Sequence, residues 1–304
     1  MDTEYSVAAF YRFTPLLDPG ALRAPLLAAL DQLHARGTVL LAPEGINGTL
    51  SVPERLYDDT LSVLRALPGC EHLQAKRSTS QGHAFRRLKV RLKREIVTLG
   101  VPGVNPSETV GTYVAPHEWN ALITDPDTLV VDTRNTYEVR LGTFKGAKDP
   151  GTETFGAFPE WLEQAASTHN PKRIAMFCTG GIRCEKATSY AKKAGLGDVY
   201  HLDGGILAYL KAIPEPESLW RGECFVFDER VALTHGLAQG KAVICRACKF
   251  PVSALAQDDP RYVSGVSCPE CFDKTSAEQK ARFMERQHQV DLAEARGQAH
   301  LAGK

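Results

Sequence analysis

The stretch Ile174-Ala175-Met176-Phe177-Cys178-Thr179-Gly180-Gly181-Ile182-Arg183-Cys184-Glu185-Lys186 decides how this chain folds and where its chemistry sits. Four apolar residues read as a buried strand that ends at Cys178. A glycine-rich turn follows, and the residues from Arg183 through Tyr190 read as a helix. Such a turn can aim several backbone N–H groups at one point, and a helix N-terminus adds partial positive charge there. Both favour the thiolate, the reactive form of cysteine. Cys178 is therefore the candidate nucleophile, with the backbone of Thr179, Gly180, Gly181 and Ile182 as a cradle that Arg183 closes. The competing reading is a structural cysteine at a strand end, because free cysteine is among the most buried residue types.

Helix and strand alternate around this stretch. Residues 116–120 start a helix, and 128–131 form a strand followed by Asp132-Thr133-Arg134-Asn135. Trp161 and Leu162 lie in a helix, 199–202 form a strand, and Asp203-Gly204-Gly205 turns into a helix over 206–212. The alternation predicts a parallel sheet covered on both faces, with its site at the carboxyl ends of the strands. Asp132, Arg134, Cys178 and Gly204 should converge there. Arg134 is placed to reach an incoming anion. Arg183 either binds an anion or pairs with a carboxylate such as Asp132. Cys184 opens the helix, so its side chain is expected to point away from the cradle; otherwise it could resolve a persulfide as a disulfide. Cys70 and Cys224 read as packing residues.

Residues 1–100 read as a smaller α/β unit. Strands are expected at 5–13, 38–41, 48–52 and within 88–98, with helices marked by Leu22, Leu26, Leu27, Leu30 and Leu33 and by Leu56, Leu61, Leu64 and Leu67. The order βαββαβ predicts a ferredoxin-like sandwich. Between Lys76 and Arg94 lie eight basic residues and no acidic one: Lys76, Arg77, Arg86, Arg87, Lys89, Arg91, Lys93 and Arg94. A solvated face explains such a run; a surface that tracks RNA phosphates explains it equally. Residues 101–113, rich in Gly, Pro and small polar residues, read as a linker to the parallel-sheet domain at 114–213.

The remainder, 214–304, carries Cys245-Arg246-Ala247-Cys248 and Cys268-Pro269-Glu270-Cys271. Two Cys-x2-Cys pairs at this separation predict a tetrahedral four-thiolate zinc site in a ribbon-like module. With four protein ligands no position is open to a substrate, so the metal is expected to be structural. Thr275-Ser276-Ala277-Glu278 then has capping-box form ahead of a charged terminal helix.

The chain has 304 residues and a formal net charge of zero, so nucleic-acid binding needs a local patch rather than the total. No apolar run approaches a membrane span, and acid stands where a secretory signal carries base. A cytoplasmic location is expected, where eight cysteines serve metals or catalysis rather than disulfides.

The six-residue loop from Cys178 to Arg183, with Asp132-x-Arg134 and Leu202-x-Gly204-Gly205, resembles a rhodanese domain, whose cradle holds the outer sulfur of a cysteine persulfide. Ala42-Pro43-Glu44-Gly45-Ile46-Asn47-Gly48-Thr49, the run from Phe177 to Lys186, and Phe225-Val226-Phe227-Asp228-Glu229-Arg230 narrow the resemblance. Together they are similar to the bacterial tRNA uridine hydroxylase family. The resemblance implies oxygen-dependent hydroxylation of wobble uridine 34 at C5 and a tRNA anticodon stem-loop as partner, with no membrane or DNA partner. The residues alone leave two other functions open. One is a sulfurtransferase moving sulfane sulfur to a small-molecule or RNA acceptor; the other is a non-catalytic binding module.

Overall fold

A computed structural model describes residues 4–297. These fall into two compact units. The first runs to Cys224 and includes Thr234–Ala238; the second comprises Phe225–Leu233 and the chain from Gln239.

The first unit opens with β1 (Tyr5–Phe13), α1 (Pro19–Gln32), β2 (Arg36–Ala42), β3 (Gly45–Pro53), α2 (Tyr57–Arg65), β4 (Ala75–Ser80) and β5 (Leu88–Leu92). They build a five-stranded sheet in the order β4-β1-β3-β2-β5. Strand alternation divides β1 between two faces. Ala8 and Phe10 turn toward Leu26 and Leu30 of α1 and Leu61 and Leu64 of α2, forming a dry core. Tyr11 and Phe13 turn the other way, where Phe13 packs with Ala42 and Ile96, and Tyr11, Val97 and Ile182 lie against them.

The βαββαβ order holds, but its last strand is β4 rather than a segment within 88–98. Residues 75–80 (Ala-Lys-Arg-Ser-Thr-Ser) lack an apolar face, because β4 is an edge strand with mostly half-buried or exposed positions. The strand found at 88–92 is a fifth one, added parallel to β2 at the opposite edge.

Residues 101–111 carry no regular element, as a linker should, yet the expected linker ends in β6 (Thr112–Val114), a strand of the next sheet. There follow α3 (Pro116–Thr124), β7 (Thr128–Asp132), α4 (Thr136–Val139), β8 (Gly142–Phe144), α5 (Phe158–His169), β9 (Arg173–Phe177), α6 (Ile182–Lys193), β10 (Asp198–Leu202), α7 (Gly205–Ala212) and β11 (Trp220–Gly222). The sheet order is β6-β10-β9-β7, with every pairing parallel. Apolar β9 is the inner strand that delivers Cys178. Trp119, Phe144, Phe177 and Tyr209 interlock edge-to-face on one side of it. Leu129, Phe158, Leu162 and Met176 fill the other. An antiparallel ribbon of β8 and β11 completes the unit.

The second unit contains a short ribbon, Val243–Ile244 against Pro251–Val252, around a small core that includes Cys245, Cys268 and Cys271. Its long helix, Ala277–Ala295, begins at a capping box. Ser276 Oγ accepts the Gln279 N–H and Gln279 Oε1 accepts the Ser276 N–H, so the box closes one residue later than the sequence suggests. The stretch beyond residue 297, included in the expected terminal module, lies outside the described residues.

Candidate active site at Cys178

Gly181 makes the loop possible. Its φ of +101° is left-handed, and a Cβ there would lie 2.9 Å from the Tyr11 hydroxyl oxygen. From this position the Gly181 N–H donates to Cys178 Sγ at 3.1 Å. The first turn of α7 braces the loop: Ile206 N–H donates to the Cys178 carbonyl (2.9 Å) and Leu207 N–H to that of Thr179 (3.1 Å). A Cβ on Gly205 would come within 2.5 Å of the Cys178 carbonyl oxygen, so only glycine allows this approach.

Cys178 is 1% exposed. Burial by itself pushes its thiol up. Against that act a hydrogen bond from the Cys184 side chain, the Arg183 charge, and the backbone N–H groups of Cys184 and Gly181, and the balance holds the thiol down to about 5. It is a thiolate at neutral pH. Cys184 is the mirror case: burial, then the neighbouring Cys178, raise its thiol well above the ordinary value. It stays protonated. Its sulfur lies 3.6 Å from Thr133 Oγ1, and both cysteines are free thiols. The expectation that Cys184 points away from the cradle is therefore overturned. Position three of α6 turns back under the loop because the chain enters the helix through left-handed Gly181.

Arg183 does not pair with Asp132. Its guanidinium grips Glu138 with two parallel bonds, Nη1–Oε1 at 2.6 Å and Nη2–Oε2 at 2.7 Å, and both side chains are buried. Glu138 also accepts the Asn135 N–H (3.2 Å) and lies 3.5 Å from Thr179 Oγ1. Burial opposes its ionisation, and the Arg183 charge more than offsets this. Sequence reading missed Glu138. The available signal was Asn135-x-x-Glu138, which has capping-box spacing directly after a strand end.

Asp132 is occupied elsewhere. It accepts Arg134 Nε (2.8 Å), Arg134 Nη2 (2.6 Å), the Arg134 N–H (3.1 Å) and Thr143 Oγ1 (2.8 Å). Arg134 is fully buried, donates also to the Gly142 carbonyl, and lies over the Trp220 ring. The idea that Arg134 meets an incoming anion does not hold. This pair ties the end of β7 to the β8–β11 ribbon.

The first domain supplies the far wall of the site. In the β1–β4 register Ala9 faces Lys76, so alternation puts Lys76 and Tyr11 on the same face of the sheet. Lys76 Nζ sits 5.2 Å from the Tyr11 ring centroid, and Tyr11 donates to Glu185 Oε1 at 2.8 Å. Tyr113 also hydrogen-bonds Glu185. Burial dominates the three shifts: the Glu185 carboxyl and both phenols are pushed up, with Cys178 and Glu185 adding to the effect on Tyr11. Burial likewise lowers the Lys76 ammonium, while Cys178, Asp203 and Glu185 oppose it. Among the described residues Lys76 has no ion-pair partner. A thiolate, a lysine amine, an acid and two phenols thus lie close together.

The remaining basic residues do not form one stripe. Arg77 pairs with Glu54, donates to Ser6 Oγ and covers the Tyr57 ring. Arg86, Arg87, Lys89 and Arg91 are exposed at or near the other edge of the sheet, because β4 and β5 flank it from opposite sides. Residues adjacent in sequence are here separated by the width of the sheet.

In the second unit the four predicted cysteines do meet. The sulfur pairs Cys245–Cys271, Cys248–Cys268 and Cys268–Cys271 are 3.9, 3.6 and 3.8 Å apart. Four thiolates about 2.3 Å from one metal ion would be about 3.8 Å apart at the corners of a tetrahedron. The four sulfurs could therefore hold a metal ion.

Residues 5–96 match the family described as UPF0176 acylphosphatase like domain, and 115–212 match the Rhodanese-like domain. The tRNA uridine(34) hydroxylase of Jannaschia sp. (strain CCS1) is 55% identical over 297 residues, 98% of either chain. The protein of the same name from Mesorhizobium japonicum is 54% identical, covering 96% of this chain and 94% of that one. That from Gluconobacter oxydans is 52% identical, covering 97% and 96%. No helix among the described residues is long and apolar enough to cross a membrane. With its acylphosphatase-like domain leading into a rhodanese domain, and identity above one half over nearly the whole length, the chain belongs to the tRNA uridine(34) hydroxylase family.

Proposed function

We propose that this protein hydroxylates uridine 34 of tRNA at C5 with Cys178 as its reactive group, molecular oxygen being the co-substrate. The observation that carries the reading is a thiolate held at about 5 beside polar groups drawn partly from the N-terminal domain. A uracil ring offers two carbonyl oxygens and one N–H. Lys76 would take a carbonyl oxygen, and Glu185, raised by burial and shared between Tyr11 and Tyr113, would hold a proton for exchange with the base. Arg183 acts through its charge and through Glu138, holding the loop rather than the substrate. An unpaired wobble base can be splayed from its loop at small cost, which suits a reactive group held inside the fold.

The exposed residues Arg86, Arg87, Lys89 and Arg91 are read as contacts to the tRNA backbone. Lys76 belongs to the pocket and Arg77 to a pair with Glu54. Cys245, Cys248, Cys268 and Cys271 are read as holding a structural zinc ion in a ribbon-like module, which begins after Cys224 rather than at 214 because β11 pairs with β8 of the first unit; the ion would lock two loops together and leave no reactive position. A tRNA substrate puts the work in the cytoplasm.

Nucleoside mass spectrometry of tRNA from cells whose only copy is Cys178→Ala tests the assignment. Loss of 5-hydroxyuridine is expected; an unchanged level rejects it.

A further inference from the structure

The five-stranded sheet buries one face against α1 and α2, through Ala8, Phe10, Val39, Leu41, Leu50 and Val90. Alternation puts their neighbours on the opposite face, and the register aligns five of these in one row. Lys89 pairs with Thr38, Thr38 with Thr49, Thr49 with Ala9, and Ala9 with Lys76. The row crosses all five strands, a span of about 19 Å at the usual strand spacing. It is flanked by covered ground on both sides. On one, Val7 and Ser51 are buried; the Ala84 N–H donates to Ser51 Oγ at 3.1 Å and the His83 ring packs on Tyr5 at 4.3 Å. On the other, Phe13 and Ala42 pack with Ile96, Val97 and Ile182. Between them Lys89 is exposed and the other four residues are half-buried, so the row floors a trough.

The lining of this trough suits a polyanion. Its floor is small and polar, and the Thr38 and Thr49 hydroxyls have no hydrogen-bond partner among the described residues. Arg36 and Arg91 stand exposed on the same face as Lys89, and no strand residue of that face is acidic. Asp31 shares a cavity of about 210 Å³ with Arg36 and Arg87, but it comes from the end of α1 and forms no ion pair with either. The far end of the trough meets the nucleophile loop. Lys76 Cε lies 3.3 Å from where a Cβ on Gly204 would sit, and its Nζ is 5.2 Å from the centre of the Tyr11 ring. The Tyr11 hydroxyl is in turn 2.9 Å from where a Cβ on Gly181 would sit, and the Gly181 N–H binds Cys178 Sγ. An acidic peptide would match the charge alone. A single strand of RNA matches the charge, the free hydroxyls and the end point, because a nucleobase is what Cys178 would act on.

We propose that the sheet face opposite α1 and α2 is an RNA track: the single-stranded anticodon loop lies along Lys89, Thr38, Thr49, Ala9 and Lys76, and Lys89, Arg36 and Arg91 take its phosphates. The strand enters at the basic edge of β5 and is led across the sheet to Lys76 and Cys178. The two threonines meet the sugar–phosphate backbone through their hydroxyls, and Ala9 keeps the floor low enough for the strand to pass. This inference deepens the hydroxylase reading and rests on it for the identity of the RNA.

The test uses the full-length protein and a fluorescein-labelled anticodon stem-loop RNA carrying U34, with binding followed by anisotropy over a range of salt. Lys89→Ala should weaken binding severalfold and lower the slope of log affinity against log salt by about one. Thr49→Glu, which sets a carboxylate in mid-trough, should weaken binding on the order of tenfold. Arg55→Glu, an exposed position ahead of α2 and off this face, should bind as the wild type does. Photocrosslinking the wild type to stem-loops with 4-thiouridine in the loop should label the peptides that hold Ala9, Thr38 and Thr49, and this readout stands even where Thr49→Glu folds poorly. The proposal is overturned if Lys89→Ala keeps wild-type affinity and salt slope, or if no crosslink falls on β1, β2 or β3. Poly-glutamate that binds through Lys89 while the stem-loop does not would give the face to an acidic protein and overturn it too. Hydroxylation is assayed separately: a wild type that makes no 5-hydroxyuridine on the stem-loop in air rejects the hydroxylase reading, whereas the crosslinks decide the track in either case.

Discussion

The molecule uses cysteine in two opposite ways. In the second unit four sulfurs gather within 4.8 Å of one another, three of their pairs at 3.6–3.9 Å, Cys248 exposed and the other three buried. At the end of β9 two sulfurs are set apart by their surroundings. Cys178 receives N–H groups, a thiol and a guanidinium charge; Cys184 receives burial and a threonine hydroxyl. Clustering suits a closed metal site, and asymmetry suits chemistry. The difference lies in the donors around the sulfur rather than in the residue type.

The strongest way to break the comparison is to remove one of the four clustered sulfurs. Cys268→Ala should unfold the second unit, because metal binding and folding are a single equilibrium in such sites, and should abolish zinc in the purified protein. Metal analysis and far-ultraviolet circular dichroism measure both effects. If the variant keeps a full equivalent of zinc and its secondary structure, the closed-site reading is wrong.

A smaller effect is expected at Glu138, which anchors the asymmetric site. Glu138→Ala leaves the buried Arg183 without its fork and should cost about 3–5 kcal/mol in chemical denaturation. A cost under about 1 kcal/mol, the value of an exposed pair, would mean that the guanidinium finds water or another partner.

The electrostatics of Cys178 can be sharpened by titration. The thiolate absorbance lost in Cys178→Ala should show a midpoint near 5 in the wild type, and Cys184→Ala should raise that midpoint by deleting a donor. The sign for stability follows from the direction. A thiol held at about 5 when folded, against an ordinary 9.0, stabilises the protein fully above about pH 9, and this contribution is lost as pH falls toward 5. Cys178→Ala should flatten that slope. A wild-type midpoint above 8 would remove the case for a ground-state thiolate.

The smallest expected effect is at Gly181. Alanine there must hold a φ of +101° and press a Cβ to 2.9 Å from the Tyr11 hydroxyl. A loss of about 1–2 kcal/mol is expected from the backbone alone. Adding Tyr11→Phe should recover part of the loss in thermal unfolding, and complete additivity of the two changes would show that the tyrosine does not press on the loop.

How much of this was legible follows from which forces act locally. Strand ends, the parallel sheet and the two Cys-x2-Cys knuckles are short-range patterns of apolarity and spacing, and they read correctly. The partner of Arg183 did not. Asp132 closes a strand of the same sheet that delivers Cys178, but Arg134, two residues on, claims its carboxylate. The direction of Cys184 depends on the left-handed entry at Gly181, and one dihedral angle has no signature in residue type. The run from Lys76 to Arg94 looked continuous because sequence does not record that the chain crosses from one sheet edge to the other. Lys76 and Tyr11 lie far from Cys178 in sequence, and only the sheet's second face brings them to it.

The Pro43-Glu44-Gly45 turn has a consequence for modularity. Glu44 and Glu95, both from the first domain and its exit, hold Lys186 of α6, whose ammonium also donates to the Val97 carbonyl at 2.9 Å. The Lys186 side chain is 2% exposed. A rhodanese segment excised from this protein would lose both carboxylates and the carbonyl that hold this cation, and would leave it to solvent one turn along the helix that shapes its own nucleophile loop. An engineer separating the two halves must therefore replace an ion cluster as well as an apolar seam.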